Sequence, residues 1–485
     1  MKRLTKKQMW IFALGQLGWS TLGGIISAWL VTFFLPTATD IHDNGAITYI
    51  VPGLVIGGFL TVLGLITALS RVFDAVTDPL IASLSDRSKN KRGRRIPFMQ
   101  YAAIPFSIVT VVLFITPVEA QSGWNIAWVS IFIVLFYLFM TMYCTPYNAL
   151  ISEFGKTQED RMYISTAISL TYFAGTLLAY TPFLFAGWFR DAGLTFGWSY
   201  RVCFIGLAVI ACVCMLLPTF LLKEKDYVES KPSNENVFKS LTSTFKNKDF
   251  RTFSLSDIMY WVGLTLFQTG LPFFVKVSLG FDEKKVLIFM GGMLVLSAIF
   301  YPFVTKMVKK FGKKKLVIAG FIGLALCYVI TAISSIPDLL PEQDHANALS
   351  WVFGVIIMIV SALPMALLGI IPQSIVADVA EAEAKVTGVN REGMFFAART
   401  FAMKFGQSIA MLLFTSLALI GSTVIVESND LSPVKLGMMI VAIVAAVFCL
   451  LGALILFFYR EKKVMSIIAK EEDKEFLKAI ENDKE

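Results

Sequence analysis

The chain has 485 residues, of which 56% are hydrophobic and only 16% charged, with a mean hydropathy of +0.69. A soluble globular surface needs about 25% charge, so a soluble domain is excluded. The net charge of +8 sits in loops and does not point to nucleic acid. The six cysteines all lie in apolar segments and both histidines, His42 and His345, in polar loops. A disulfide framework, a zinc site and a histidine proton relay therefore lack material.

Several apolar stretches exceed the roughly 20 residues that a helix needs to cross a bilayer. The first follows MKRLTKK, is too long for a signal-peptide core, and reads as a retained span. In chain order the spans are 10–34, 50–84, 96–117, 124–153, 161–189, 199–222, 252–280, 286–308, 315–335, 348–379, 393–425 and 434–459. Alternate loops on one side, with both termini, hold 34 of the 43 lysines and arginines. By the positive-inside rule that side is cytoplasmic.

The longest internal connection, 223–251, separates six spans from six. The expected organisation is a bundle over 1–222, the linker 223–251, a second bundle over 252–459 and a cytoplasmic tail, 460–485. The tail alternates charges at helical spacing, with Val464, Ile467, Ile468, Phe476 and Leu477 as apolar points, and is read as an amphipathic helix. SDRSKNKRGRR follows the second span and VTKMVKKFGKKK the eighth. This echo, with the count of six plus six, suggests two pseudo-repeats with a substrate site between them.

The second span carries Arg71, Asp74 and Asp78. Spacings of three and four place them on one helical face. A charge at the bilayer centre costs roughly 2.5–3.5 kcal/mol, so such groups must pair, line water, or bind something. One arginine offsets only one of two carboxylates. The pair reads as a site for a small cation or a shared proton. Asp86 and Arg87 belong to the end of that helix, as a solvated face or a conformational latch. The eighth span has no buried carboxylate, which places coupling in the first half. The eleventh brings Arg399 and, deeper, Lys404, whose partners across the cavity would be Asp74 and Asp78. Arg399 would either snorkel to the surface or bind an anionic substrate group. Sugar-like ligands want aromatic faces, amides and hydroxyls in an apolar cleft. Gln16, Trp19 and Ser20, then Tyr143, Tyr147 and Asn148, then Tyr260, Trp261 and Gln268 are candidates on the first, fourth and seventh spans.

RVFDAVTDP followed by SDRSKNKRGRRIPF, and IPQSIVADVAEAEAKVTGVNREGMFFAARTFAMKFGQS, resemble the glycoside–pentoside–hexuronide:cation symporters, the melibiose-carrier-like branch of the major facilitator superfamily. The resemblance implies an all-α fold of twelve transmembrane helices in two six-helix pseudo-repeats, multi-pass in a bacterial cytoplasmic membrane and functional as a monomer. It implies Asp74, Asp78 and Thr141 as cation ligands, with Arg71 and Lys404 as charge partners. It also implies a cytoplasmic gate of Asp378, Glu381 and Arg391, with Asp86 and Arg87 beside it. Departures are equally specific. Ser20 and Cys144 stand where melibiose-type carriers place aspartates, Asn148 where they place a tryptophan, and Ile168 or Ser169 where they place an arginine. Melibiose is thus a poor fit, and Arg399 beside Thr400 suggests an acidic sugar.

The expected activity is symport of a glycoside, pentoside or hexuronide with Na⁺ or H⁺, without a cofactor or a metal beyond that ion. The alternative is an amphiphile such as a lysophospholipid, since galactoside carboxylates are missing. An intramembrane protease is disfavoured. Its acids come from different helices, and no second acid motif, zinc signature or nucleophile–histidine pair occurs here.

Overall fold

A computed structural model describes residues 3–50, 54–56, 60–88, 90, 92–155, 158–227, 242, 244–342, 344–388, 392–422 and 432–469. In the first half, α1 (Lys6–Phe34) and the short α2 (Ala38–His42) precede a hairpin of β1 (Leu54–Ile56) and β2 (Leu60–Thr61). Then come α3 (Val62–Arg87), α4 (Ile96–Val112), α5 (Gly123–Phe154), α6 (Gln158–Ala179), α7 (Pro182–Asp191), α8 (Phe196–Leu221) and the short α9 (Glu224–Tyr227). The second half comprises α10 (Lys248–Phe273), a π-helical turn (Phe274–Ser278), α11 (Lys285–Phe311), α12 (Lys313–Ser334), α13 (Ala348–Thr387), α14 (Glu392–Leu417) and α15 (Lys435–Leu456).

Twelve spans follow if α6 and α7 count as one. Nine helical segments among the described residues are long and apolar enough to cross a membrane by composition. The other three fall short for visible reasons. The α4 helix has only 17 residues, α3 carries Arg71, Asp74 and Asp78, and α14 carries Arg399, Lys404 and Gln407.

Several expected boundaries shift, among them the eleventh span, whose helix ends at Leu417 and not at residue 425. The second span begins at Val62 and not at residue 50, because VPGLVIGGF is rich in poor helix formers and Thr61 caps α3 by accepting from the Gly64 amide at 3.2 Å. The fifth span breaks after Ala179, where Pro182 starts α7, the helix position proline tolerates best. The Trp29 indole then donates to the Ala179 carbonyl at 2.8 Å. The tenth span runs 40 residues to Thr387, about 60 Å at 1.5 Å per residue, and so projects beyond the bilayer.

Helix packing repeats between the halves. In the first, α1 packs on α6 and α8, α4 on α5 and α8, and α3 on α5. In the second, α10 packs on α14 and α15, α12 on α13 and α15, and α11 on α13. Each pair occupies the corresponding position in its half. The halves meet where α3 packs on α14, α6 and α7 approach α11, and α1 touches α10.

The basic loops echo each other in three dimensions. Gly93 and Gly312, at φ 133 and 82, precede α4 and α12. Glu224, just after α8, accepts from the amides of Arg94, Arg95 and Ile96 at 2.9, 2.9 and 3.0 Å. Glu461, just after α15, accepts from the amides of Lys313 and Lys314 at 2.7 and 3.3 Å. A carboxylate on otherwise unpaired amides at a helix start is favoured by hydrogen bonding and by the helix dipole. Residues 461–469 are helical and bury Val464 and Ile468 against the core. Phe476 and Leu477 lie outside the described residues.

Candidate cation and substrate site

The α3 helix crosses apolar surroundings with Arg71, Asp74 and Asp78 on one face. Asp74 is fully buried and the Asp78 side chain is 24% exposed. From α5, the Thr141 hydroxyl lies 2.8 Å from an Asp74 oxygen and 3.2 Å from Asp78. Thr145, one turn on, lies 3.3 Å from the same Asp78 oxygen. From the other half, the Lys404 ammonium on α14 reaches Asp74 at 2.8 Å and Asp78 at 2.6 Å. One turn further, Ser408 donates to the Ala68 carbonyl at 2.8 Å. Near the far ends of these helices, Thr61 donates to Thr415 at 2.6 Å. Arg71 stands apart, its guanidinium 3.9 Å from Asp74 and 4.7 Å from the centre of the Tyr137 ring.

Two carboxylates, two hydroxyls and a lysine thus converge between the halves. Lys404 offsets part of the desolvation of both carboxylates, and removing one member of such a buried set costs about 3–5 kcal/mol. Carboxylate and hydroxyl oxygens are hard ligands suited to Na⁺. The same two carboxylates, held side by side, can share a proton.

The cluster borders a central cavity of about 1090 Å³. Of the substrate candidates, Trp19, Ser20, Cys144, Asn148, Gln268 and Thr400 line it, as do Tyr260 and Trp261. Four candidates do not. Tyr143 and Tyr147 are fully buried and donate to the Met215 and Phe12 carbonyls at 2.9 and 3.0 Å. On α5 the cavity face is 141, 144, 145 and 148, spaced by three and four. Positions 143 and 147 lie about 200° round the helix. Gln16 is buried within α1. Arg399 neither snorkels nor faces the cavity, because a carboxylate that sequence reading missed, Asp257 on α10, holds it at 3.0 and 3.3 Å. The second half therefore has a buried acid of its own, on the seventh span and not on the eighth. Ser20 lines the cavity but donates to the Gln16 carbonyl at 2.7 Å, which leaves its oxygen as an acceptor.

Tyr137 and Gln407 also line the cavity, and neither was singled out by sequence. Thr145 was missed as well, although it follows Thr141 at the i, i+4 spacing that shares a face.

Polar contacts show which end of the cavity is closed. On the face remote from the termini, Asp40 pairs with Lys276 at 2.5 Å, both buried. Glu283 accepts from Arg190 and Tyr200. Each joins one half to the other. Asp344, in the loop before α13, lies nearby, and burial pushes its carboxyl above the ordinary range while Lys276 pulls it back. On the face carrying the termini the ion pairs among the described residues stay within a half. Arg95 pairs with Glu153 at 2.6 Å, Lys313 with Asp378 at 2.6 Å, and Arg460 with Asp249 at 2.7 Å. The cavity reaches Arg95 and Met394 at that face. Of the expected gate residues, Asp378 bonds Lys313 and Glu381 bonds Lys385 at 3.2 Å, inside the second half. Arg391 and the side chains of Asp86 and Arg87 lie outside the described residues.

Residues 11–462 match the model of a family described as MFS/sugar transport protein. The chain belongs to that family. It is a multi-pass membrane transporter, not an enzyme. An uncharacterized symporter, YjmB, of Bacillus subtilis is 24% identical over 85% of this chain and 83% of its own. The putative glycoside/cation symporter YagG of Escherichia coli is 28% identical over 48% of this chain and 50% of its own. A putative sulfoquinovose importer of Escherichia coli is 21% identical over 72% of each. Among solved structures, a D-xylose-proton symporter superposes with a TM-score of 0.63, at 15% identity, over 94% of this chain and 98% of its own. The shared fold is that of the major facilitator superfamily.

Proposed function

We propose that this transporter is a cation-coupled symporter of glycosides or related sugar derivatives, working by alternating access. The observation that carries the reading is the placement of Asp74, Asp78, Thr141, Thr145 and Lys404 at the seam between the halves, with Asp78, Thr145 and Lys404 on the wall of the central cavity and Asp74 and Thr141 buried behind it. A cation entering between the carboxylates must compete with the lysine, and Lys404 belongs to the opposite half. Cation occupancy therefore alters the attraction between α3 and α14, which is what coupling requires. The arrangement is inward-open if the face carrying the termini is cytoplasmic, as its excess of basic residues supports. Asp40, Lys276, Arg190, Tyr200 and Glu283 then form the closed outer gate. Relatives named as a putative glycoside/cation symporter and an isoprimeverose transporter support a sugar-like cargo.

The experiment is uptake into proteoliposomes from a panel of glycosides, pentosides and hexuronides, with sodium and proton gradients imposed separately. Sodium-stimulated uptake without a pH change makes Asp74 and Asp78 metal ligands. Substrate-dependent proton uptake without sodium makes them a protonation site. If no sugar moves with either cation while lysolipids compete for the cavity, the sugar reading falls.

A further inference from the structure

We infer that Arg71 is an anion subsite in the cavity, and that the substrate is a sugar derivative carrying one acidic group, taken up together with one monovalent cation. This rests on the symport reading above and adds the substrate class.

The carboxylates do not need Arg71 for their hydrogen bonds. Lys404 supplies a donor to each, at 2.8 and 2.6 Å, and Thr141 and Thr145 supply hydroxyls. Arg71 approaches Asp74 only to 3.9 Å, beyond hydrogen-bond range. The oxygen it approaches, Asp74 Oδ2, and its own Nε both lack a hydrogen-bond partner among the described residues. Its side chain is 13% exposed and lines the cavity, with the guanidinium lying over Tyr137. A planar fork of donors held over an aromatic ring is suited to a carboxylate or sulfonate. The surrounding wall adds neutral donors, since the indole nitrogens of Trp19 and Trp261 are buried there without partners among the described residues. Arg399, on α14 of the second half, is already held by Asp257, and Arg95 at the cavity mouth by Glu153.

Charge counting leads to the same class. Asp74, Asp78, Arg71 and Lys404 sum to zero. A coupling cation raises the cluster to +1 in surroundings where an uncompensated charge is costly. A substrate of charge −1 beside Arg71 restores neutrality, so cation and acid favour one another's binding. A neutral glycoside would leave the charge uncompensated.

The test compares methyl β-D-glucuronide with methyl β-D-glucoside on the full-length protein, by binding to purified protein and by current recorded from proteoliposomes. The expected result is about tenfold to a hundredfold tighter binding of the acid, the range for a charge-assisted hydrogen bond. Its uptake with the cation should carry no net current. Arg71→Gln should abolish the preference and Arg71→Lys should retain part of it, with thermal melts reporting folding. The current measurement on wild-type protein decides the matter even if Arg71→Gln does not fold. Equal or tighter binding of the neutral glycoside, or net inward charge with the acid, overturns this inference and leaves sugar symport standing. Failure of both sugars to bind or move removes the inference together with the symport reading.

Discussion

In the first half, Glu224 takes three amides at the start of α4; in the second, Glu461 takes two at the start of α12. Both follow the last helix of their half, and both face a glycine of positive φ. The second helices could hardly differ more. The α3 helix buries Asp74 and exposes Arg71 and Asp78 to the cavity, while the corresponding stretch of α11, VLIFMGGMLVLSAIFYPFV, is uncharged. The shared part of the repeat fastens helices together. The part that differs carries the charge chemistry. Each half thus keeps a common scaffold, and the cluster is completed only when the second half lends Lys404 to the first.

The largest expected effect comes from removing the asymmetric element. Asp78→Cys should reduce cation-driven accumulation to the equilibrium level while preserving exchange of preloaded substrate, measured in proteoliposomes. Full accumulation in that variant would break the assignment of coupling to α3.

Next is the buried pair private to the second half. Arg399→Ala strands the Asp257 carboxylate and should destabilise the protein by about 3–5 kcal/mol, read as a lowered thermal midpoint in detergent. Combining it with Asp257→Asn should recover much of the loss. A double variant as unstable as the single one would show that Arg399 has a further task.

The shared caps provide a finer comparison. Glu224→Gln should cost roughly 1–3 kcal/mol and Glu461→Gln less, since hydrogen bonds to charged groups are the stronger ones and Glu224 accepts three to Glu461's two. Equal losses would mean that the terminal helix 461–469 contributes what the missing hydrogen bond does not.

The smallest effect tests which face of α5 meets substrate. Tyr143→Phe should cost about 1 kcal/mol of stability and leave KM unchanged. Asn148→Ala, on the cavity face, should raise KM with little loss of stability. The reverse pattern would rotate the helix assignment.

Asp74, Asp78 and Lys404 were legible in the sequence because a charge inside an apolar span stands out against its surroundings, and i, i+4 spacing fixes a common face. Thr145 was hidden because threonine is unremarkable in any helix. Periodicity could have found it, since 141, 144, 145 and 148 share a face that excludes 143 and 147. Arg399 was misread because the partner that neutralises it, Asp257, lies 142 residues away in sequence.

The sequence by itself determined a helical, twelve-span membrane protein in two halves and the face of α3 that carries its charges. Hydrophobic length and helical period are local properties and can be read from the chain. Only the tertiary structure decided that Asp257 holds Arg399, that Arg71 is left facing the cavity, and which end of the cavity is closed. Those outcomes depend on which distant side chain satisfies each buried charge. In a low-dielectric interior the pairing is set by packing between helices, because a charge left without a partner there is costly.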